Sequence, residues 1–223
     1  MPVLKERERK YVKSLFEREL SGEVRLVVVT QRFECEGCEV TRNIAEELAE
    51  LSNMIKVEVY DFESDADKLR RWRVDKIPAL LVFGKREYGV RYFGMPTGYE
   101  FAALLDDIVD VSRGSSRLSQ TTKQRLAEIR EPVHIQVFVT PTCPYCPKAV
   151  RIAHQMAVEN EHVVADMIES LEFPHLANRY GVMAVPKVVI NDIVSFEGAL
   201  QEQHFLEYVV HALEHQHSHE HRH

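Results

Sequence analysis

Residues 133–146, Val-His-Ile-Gln-Val-Phe-Val-Thr-Pro-Thr-Cys-Pro-Tyr-Cys, join an apolar strand to a Cys-x-x-Cys motif. A second motif of this kind, Cys35-Glu36-Gly37-Cys38, follows the apolar residues 24–29. These four cysteines are the only ones in the 223-residue chain, and the two motifs lie 108 residues apart. Because a dithiol can gain and lose two electrons without a cofactor, two matched dithiols indicate redox chemistry performed by the protein itself.

Each motif has an X-Pro step at the same distance downstream. Pro78 of Ile77-Pro78 follows Cys35 by 43 residues, and Pro186 of Val185-Pro186 follows Cys143 by 43 residues. This matched spacing predicts an internal repeat, in which one structural unit occurs twice.

Apolar residues at helical and strand spacing predict the same series of elements in both halves. The first half reads as a helix over 6–20, a strand over 24–29, a helix after the dithiol, a strand over 55–60, a short helix over 68–74, a hairpin over 79–83 and 88–93, and a helix over 99–111. The second half repeats this order with a helix over 120–130, a strand over 133–139, a helix from the dithiol, a strand over 163–168, a helix over 174–180, a hairpin over 187–190 and 193–196, and a last helix after Gly198. This order implies an α/β fold in which a mixed sheet with helices on both faces is built twice.

The segment 112–117, Ser-Arg-Gly-Ser-Ser-Arg, is the only linker-like stretch of any length. We therefore call residues 1–117 the first unit and residues 118–214 the second unit. Residues 215–223 are rich in histidine, and our main interpretation is a solvated, disordered tail. Because neutral imidazole is a good ligand for zinc, nickel and copper, loose metal binding is one alternative, and an affinity tag is another.

Charge and composition exclude several classes of function. The net charge of −7 provides no electrostatic footprint for nucleic acid. No apolar run approaches the ~20 residues that span a bilayer, and the N-terminus lacks the apolar core of a secretory signal. A secreted disulfide scaffold would carry more cysteines, spread along the chain. If the chain is complete, these features predict a cytoplasmic protein that binds neither nucleic acid nor membrane.

The positions of these motifs match a known fold. A strand that leads to Cys-x-x-Cys at a helix start, with a distant proline before a terminal hairpin, resembles thioredoxin. The sequence Cys143-Pro144-Tyr145-Cys146 resembles the active site of glutaredoxins. Residues 180–191, Tyr-Gly-Val-Met-Ala-Val-Pro-Lys-Val-Val-Ile-Asn, resemble the second unit of the two-unit protein disulfide oxidoreductases typical of thermophilic archaea and bacteria.

This resemblance covers nearly the whole chain except the His-rich tail. It implies two tandem thioredoxin-like units and a thiol–disulfide exchange enzyme with reductase, oxidase and isomerase capacity. It also implies protein substrates that carry thiols or disulfides, an electron donor similar to thioredoxin reductase, and no cofactor or metal.

The helix that follows each dithiol predicts the roles of the cysteines. Unpaired N–H groups at a helix N-terminus stabilise a thiolate, so we expect Cys35 and Cys143 to be exposed nucleophiles. Cys38 and Cys146 lie one turn further in and are predicted to be the resolving thiols, which release a mixed disulfide with substrate.

The prolines predict where a substrate would bind. The resemblance implies that Pro78 and Pro186 are both cis and lie beside their dithiols. The backbone of Ile77 or Val185 could then pair with an extended substrate peptide, as an added strand does.

The sequence also predicts a difference between the two dithiols. Glu34, Glu36 and Glu39 surround the first motif, whereas no carboxylate flanks the second, where Lys148 follows. Because like charge opposes thiolate formation, Cys143 is predicted to be the more acidic and faster-reacting thiol. The alternative is that the three glutamates form only a solvated helix start that suits the helix dipole.

The chain departs from thioredoxin in the residue that accepts a proton from the resolving thiol. Thioredoxin has a buried carboxylate six residues before its first cysteine, and Val29 and Val137 stand there in this chain. Asp61 and Glu169 end matching strands and are candidates for the role, although surface acids are an equal interpretation.

Three other functions fit part of this pattern. Two Cys-x-x-Cys pairs can form one structural zinc site, but such pairs usually lie close in the chain. The second is an electron carrier for a peroxide-reducing system, whose paired thioredoxin-like domains commonly keep only one dithiol. The third is a chaperone-like module that binds peptides without turnover, and replacing all four cysteines by Ser would leave its peptide binding intact.

Overall fold

The computed structural model describes residues 3–220, with side chains as far as residue 216. Within these residues the helices and strands follow in this order: α1 (Glu6–Glu19), β1 (Val24–Thr30), α2 (Glu36–Glu50), β2 (Ile55–Asp61), α3 (Ala66–Trp72), β3 (Ala79–Phe83), β4 (Gly89–Phe93), α4 (Glu100–Arg113), α5 (Gln120–Ala127), β5 (Val133–Val139), α6 (Cys146–Glu159), β6 (Val163–Glu169), α7 (Pro174–Arg179), β7 (Lys187–Ile190), β8 (Val194–Glu197) and α8 (Glu202–Glu220). The predicted α/β series is confirmed in both halves, with small shifts at the ends of elements.

All eight strands form one continuous sheet in the order β2-β1-β3-β4-β6-β5-β7-β8. Within each unit the central pairings are the same, because β1 is parallel to β2 and antiparallel to β3, and β5 is parallel to β6 and antiparallel to β7. The sheet therefore consists of two four-stranded halves with matching topology.

The two halves join where β4 pairs in parallel with β6, from Gly89 opposite Val164 to Phe93 opposite Ile168. Gly89 allows this pairing, because a Cβ on that residue would collide with the carbonyl oxygen of Val163. The sequence repeat predicted two units, but it did not predict that their sheets are fused edge to edge.

Apolar side chains cover both faces of this sheet. One face packs against α1, α2, α4, α5, α6 and α8, and the other packs against α3 and α7. In β1, Leu26 and Val28 point to the first face, while Val27 and Val29 point to the second. Burial on both sides explains why the central strands are almost continuously apolar rather than alternating.

On the first face, α4 and α6 contact each other across the join through buried polar side chains. The Asp107 carboxylate of α4 contacts the Tyr92 hydroxyl, the Arg151 guanidinium and, at 2.6 Å, Nδ1 of His154. Burial lowers the pKa of His154 to about 3, so this imidazole is neutral near pH 7. Because removing one partner from such a cluster typically costs about 3–5 kcal/mol, this contact holds α4 of the first unit firmly against the second unit.

The opposite face of the join has its own buried ion pair. Arg91 of β4 donates to both carboxylate oxygens of Asp166 in β6, at 2.6 and 2.8 Å, and Nε2 of His134 lies 2.7 Å from the same carboxylate. Burial opposes ionisation of Asp166, but the charges of Arg91 and His134 lower its pKa well below the usual value. The two units are thus linked by ionic contacts on both sides of the sheet.

The predicted linker and tail differ from the structure. Ser112 is a buried residue of α4, and its hydroxyl donates to the Val109 carbonyl oxygen at 2.7 Å, so the helix runs into the segment predicted as a linker. Helix α8 continues to Glu220, through residues predicted to be disordered. Neither Gly nor Pro, the residues that most strongly end helices, occurs after Gly198. Residues 221–223 of the predicted tail lie outside the described residues, and the boundary between residues 117 and 118 stays a prediction.

Candidate active sites

The two dithiols lie at the same edge of the sheet. Cys35 follows β1 and Cys143 follows β5, and the pairings between them make these two strands run in the same direction. The strands are four positions apart in the sheet, about 19 Å at the usual strand spacing. Because a tetrathiolate zinc ion lies about 2.3 Å from each sulfur, the four cysteines cannot share one ion, and the single-zinc alternative is wrong.

The first dithiol lies at the start of α2 and is open to solvent on one side. Cys35 is the N-cap residue of this helix and is half-buried, whereas Cys38 is buried, and the two are joined by a disulfide. A cleft of about 920 Å³ opens beside them, with Arg32 and Arg42 in its lining and a Phe33 side chain that is 79 % exposed. A cleft of this volume is large enough to bind a ligand or a peptide segment.

The second dithiol is more enclosed, and both of its cysteines are free thiols. Helix α6 begins at Cys146 itself, so Cys143 lies in the turn that precedes the helix. The backbone N–H of Cys146 donates to the Cys143 sulfur at 3.2 Å, and this sulfur lies 3.7 Å from the carbonyl oxygen of Val185. The prediction that Cys143 is exposed is wrong: only 9 % of it is accessible, because the turn folds its sulfur back toward the helix end.

Burial also controls the resolving thiol of this site. Cys146 is fully buried, and burial and its hydrogen bond with Cys143 raise the pKa of its thiol well above the usual value. A thiol in this state needs a nearby group to take its proton before it can attack a disulfide.

Both proline steps lie beside their dithiols, and both peptide bonds, Ile77-Pro78 and Val185-Pro186, are cis. The Pro78 ring lies 3.0 Å from the point where a Cβ on Gly37, inside the first motif, would stand. In the second site, the contact between the Val185 carbonyl oxygen and the Cys143 sulfur places the Val185-Pro186 bond beside the dithiol. Within the described residues, no hydrogen bond engages the backbone N–H of Ile77 or Val185.

Asp61, one of the two predicted proton acceptors, has a structural role. Its carboxylate accepts hydrogen bonds from the backbone and side chain of Ser64 and from the Glu63 N–H, and these bonds lower the pKa of Asp61. It lines the cleft beside the first dithiol, but it stays ionised and shapes the turn before α3.

Glu169, the other candidate, is buried and lies nearer the first unit than predicted. Its side chain packs against Gly94, which follows β4, and one carboxylate oxygen accepts the Glu172 N–H at 2.6 Å. The other oxygen has no hydrogen-bond partner in the described part of the chain, and burial raises the pKa of Glu169. These contacts do not place Glu169 at the second dithiol, and its burial contradicts the alternative that it is a surface acid.

The sequence analysis missed Glu100. This first residue of α4 is 1 % exposed, and neither carboxylate oxygen has a hydrogen-bond partner among the described residues. Burial raises the pKa of Glu100 to about 8, and its charge contributes to the raised pKa of Cys146. The preceding residue, Tyr99, donates its N–H to the Pro141 carbonyl oxygen at 3.2 Å, which fixes the start of α4 beside the second dithiol. In the sequence, a glutamate in the first turn of a helix looks like an ordinary partner for the helix dipole.

Comparison with known proteins matches this geometry to a family. Residues 133–211 match the family described as Thioredoxin domain. The thioredoxin of Methanocaldococcus jannaschii is 41% identical over 76 residues, which are 34% of this chain and 89% of that protein. This chain belongs to the thioredoxin family. The resemblance inferred from its dithiol motifs is confirmed.

Solved structures extend the likeness to both units of this thioredoxin-family chain. A protein disulfide oxidoreductase from Aeropyrum pernix is 33% identical, with a TM-score of 0.86 over 92% of this chain and 91% of that one. The NTD_N/C domain of alkylhydroperoxide reductase AhpF from Enterococcus faecalis has the same TM-score at 22% identity, which shows a shared fold. The predicted fold class, two tandem thioredoxin-like units, is confirmed.

Some sequence relatives are much longer than this chain. An NADH dehydrogenase of Bacillus subtilis is 25% identical over 148 residues, and an alkyl hydroperoxide reductase of Staphylococcus aureus is 30% identical over 105 residues. The chain spans 27% and 20% of these two proteins.

Proposed function

We propose that this protein is a thiol–disulfide oxidoreductase that exchanges disulfides in protein substrates through its two dithiols. One observation carries the proposal: each Cys-x-x-Cys motif lies at a helix start, directly beside a cis X-Pro step. The likeness to the Aeropyrum pernix oxidoreductase supports the same function.

The exchange follows from the order of the cysteines in each pair. The thiolate of Cys35 or Cys143 attacks a substrate disulfide, forms a mixed disulfide and releases one substrate thiolate, which takes a proton. The thiol of Cys38 or Cys146 loses its proton and attacks the mixed disulfide, so that the second substrate thiolate leaves and is protonated. The dithiol is oxidised by two electrons and the substrate is reduced by two, and the reverse sequence oxidises a substrate.

Ile77 and Val185 would hold the substrate during this reaction. Their N–H groups carry no hydrogen bond within the described chain and lie next to the cis prolines. An extended peptide can pair with such backbone groups as an added strand, which brings its disulfide to the nucleophile.

Glu100 would serve as the proton acceptor for Cys146. Burial holds the pKa of Glu100 near 8, so the carboxyl group can take up and release a proton close to neutral pH. A group with a pKa near the working pH is an efficient acid–base catalyst.

Reduction of insulin disulfides, with dithiothreitol as the electron source, tests the proposal. Wild-type protein should accelerate the reaction, and the Cys35→Ser/Cys143→Ser variant should be inert. The matched Cys38→Ser/Cys146→Ser variant keeps both nucleophiles but cannot resolve, so it should accumulate mixed disulfides with substrate on non-reducing gels. Activity that persists in the first variant would contradict the assignment of the nucleophiles.

A second candidate function is electron transfer to a peroxide-reducing system, favoured by the likeness to the alkyl hydroperoxide reductases. In that case the dithiols would receive electrons from a flavoprotein and pass them to a peroxidase rather than to many proteins. Rapid reduction of a two-cysteine peroxidase together with slow insulin reduction would favour this candidate.

The cellular setting of the reaction belongs to the same proposal. Its partners would be proteins with thiols or disulfides and an electron donor similar to thioredoxin reductase, in the cytoplasm. Among residues 3–220, the structure contains no helix whose length and apolar character would allow it to cross a membrane.

A further inference from the structure

Glu172 of the second unit reaches the first dithiol. It lies in the loop between β6 and α7, and its Oε1 accepts the Met95 N–H of the first unit at 2.7 Å. Its Oε2 lies 2.5 Å from the point where a Cβ on Gly37 would stand, and Pro78 Cγ and Met95 Cγ are 3.0 and 3.1 Å from the same point. The carboxylate thus lies against the Cys-x-x-Cys motif at Gly37, where Pro78 of the cis step also packs.

Two glycines of the first unit make room for this carboxylate. Any side chain at Gly37 would overlap Oε2 of Glu172. A Cβ at Gly94, whose φ of +98° also favours glycine, would lie 2.8 Å from Oε1 of Glu172 and 2.6 Å from Cβ of Glu169. The pocket is therefore shaped by residues of the first unit and filled by a residue of the second.

The surroundings of Glu172 favour a change of protonation state. Burial raises the pKa of Glu172, the Met95 hydrogen bond opposes this, and the charge of Glu169 raises it further. Glu169 is the titratable group that faces it from β6, and Cys35 and Cys38 become titratable on α2 once the disulfide is reduced. Gly94, Met95 and Pro78 carry no titratable side chain, and Glu36 and Glu39 on α2 are exposed to solvent.

We propose that Glu172 is the acid–base residue of the first dithiol, supplied by the second unit. The inference rests on the proposed function, because it assigns a proton path to that reaction. When Cys38 resolves the mixed disulfide on Cys35, its thiol proton passes to the Glu172 carboxylate, directly or through one water. The sulfur–sulfur bond between Cys38 and Cys35 forms as the Cys35–substrate bond breaks, and the departing thiolate takes a proton from Glu172 or solvent.

This assignment makes the two units reciprocal. Glu100 of the first unit lies near Cys146 of the second, and Glu172 of the second unit lies against Gly37 of the first. Val29 and Val137 occupy the positions of the usual thioredoxin carboxylate. Each dithiol would therefore depend instead on a carboxylate from the other half of the chain.

The test uses full-length protein with Cys143→Ser/Cys146→Ser, so that only the first dithiol reacts. In this background Glu172→Gln keeps a hydrogen-bond acceptor for Met95 but cannot take up a proton. Glu207→Gln is the matched control, because it removes an exposed carboxylate on α8 of the second unit. The reaction is exchange with a small aromatic disulfide, followed from pH 5 to pH 9.

We expect Glu172→Gln to slow resolution of the mixed disulfide by at least tenfold, within the range typical of general acid–base catalysis. The pH profile of Glu172→Gln should also lack an ionisation whose pKa lies above the ordinary carboxylate range, whereas the profile of the control should retain it. Superimposable pH profiles for Glu172→Gln and its parent would overturn the inference. Because the assay needs no protein substrate, failed insulin reduction with normal small-disulfide exchange would count against the proposed function alone.

A spectroscopic measurement avoids dependence on the folding of Glu172→Gln. An infrared difference spectrum, reduced minus oxidised, of the parent protein with only the first dithiol should contain a protonated-carboxyl band that changes with redox state. Absence of any such change between pH 5 and pH 9 would equally overturn the assignment.

Discussion

The two dithiols occupy equivalent places in two copies of one unit, yet their surroundings differ. In the first motif the third position is Gly37, which the Glu172 carboxylate covers, and in the second it is Tyr145, which is 70 % exposed. The first nucleophile, Cys35, is the N-cap of its helix, whereas Cys143 lies in a turn before the helix begins. The same motif therefore forms two different sites, because the side chains and turns around each dithiol differ.

The largest predicted effect is the contribution of Glu100 to the pH dependence of the free energy of unfolding. Its pKa of about 8 in the folded protein exceeds that of an exposed glutamate, so the folded state binds more protons than the unfolded state. Its contribution to stability is complete below pH ~4.5 and is lost as the pH rises to about 8, with an upper limit of roughly 5 kcal/mol. Glu100→Gln should abolish this loss. The difference in stability between the variant and wild type should therefore favour the variant more at pH 9 than at pH 5.

Denaturant unfolding at the two pH values measures this effect. Glu207→Gln, at an exposed position of α8, is the control and should keep the pH dependence of wild type. If Glu100→Gln follows the wild-type curve, the carboxylate is solvated or paired in solution and is not suited to accept the Cys146 proton.

A smaller effect should separate the third positions of the two motifs. Gly37→Ala adds a methyl group that overlaps the Glu172 carboxylate, so exchange at the first dithiol should slow on the order of tenfold. Tyr145→Ala removes an exposed side chain and should change exchange at the second dithiol much less. Single-turnover rates, each measured with the other dithiol replaced by Ser, provide the comparison, and equal losses would remove the distinction between the sites.

The smallest expected effect is on the reactivity of the two nucleophiles. Cys35 lies among Glu34, Glu36 and Glu39, while the Cys143 sulfur accepts a backbone N–H from Cys146. Screened charges of this kind should make Cys143 react with iodoacetamide roughly three- to tenfold faster than Cys35 near pH 7. Site-resolved mass spectrometry of the reduced protein measures both rates, and faster labelling of Cys35 would mean that burial of Cys143 outweighs the charges.

Sequence reasoning was reliable where it depended on local pattern. The strands before each dithiol and the helices after them follow from apolar periodicity. The cis state of the two X-Pro bonds was expected from the family resemblance rather than from spacing. It was wrong about the exposure of Cys143 and about disorder beginning at His215, because neither the fold of a turn nor the reach of a terminal helix follows from composition. It named Glu169 only as a candidate because the residue ends β6, and the side chain packs against Gly94.

The sequence by itself determined the chemistry and the repeat: four cysteines in two motifs, each followed at the same distance by Ile77-Pro78 or Val185-Pro186. Only the tertiary structure decided which carboxylates lie near those dithiols. Glu100 and Glu172 lie far along the chain from the cysteines beside them, and pairing of β4 with β6 brings them there. Burial raises the pKa values of both groups, the charge of Glu169 adds to the effect at Glu172, and both carboxyl groups become candidates for proton transfer.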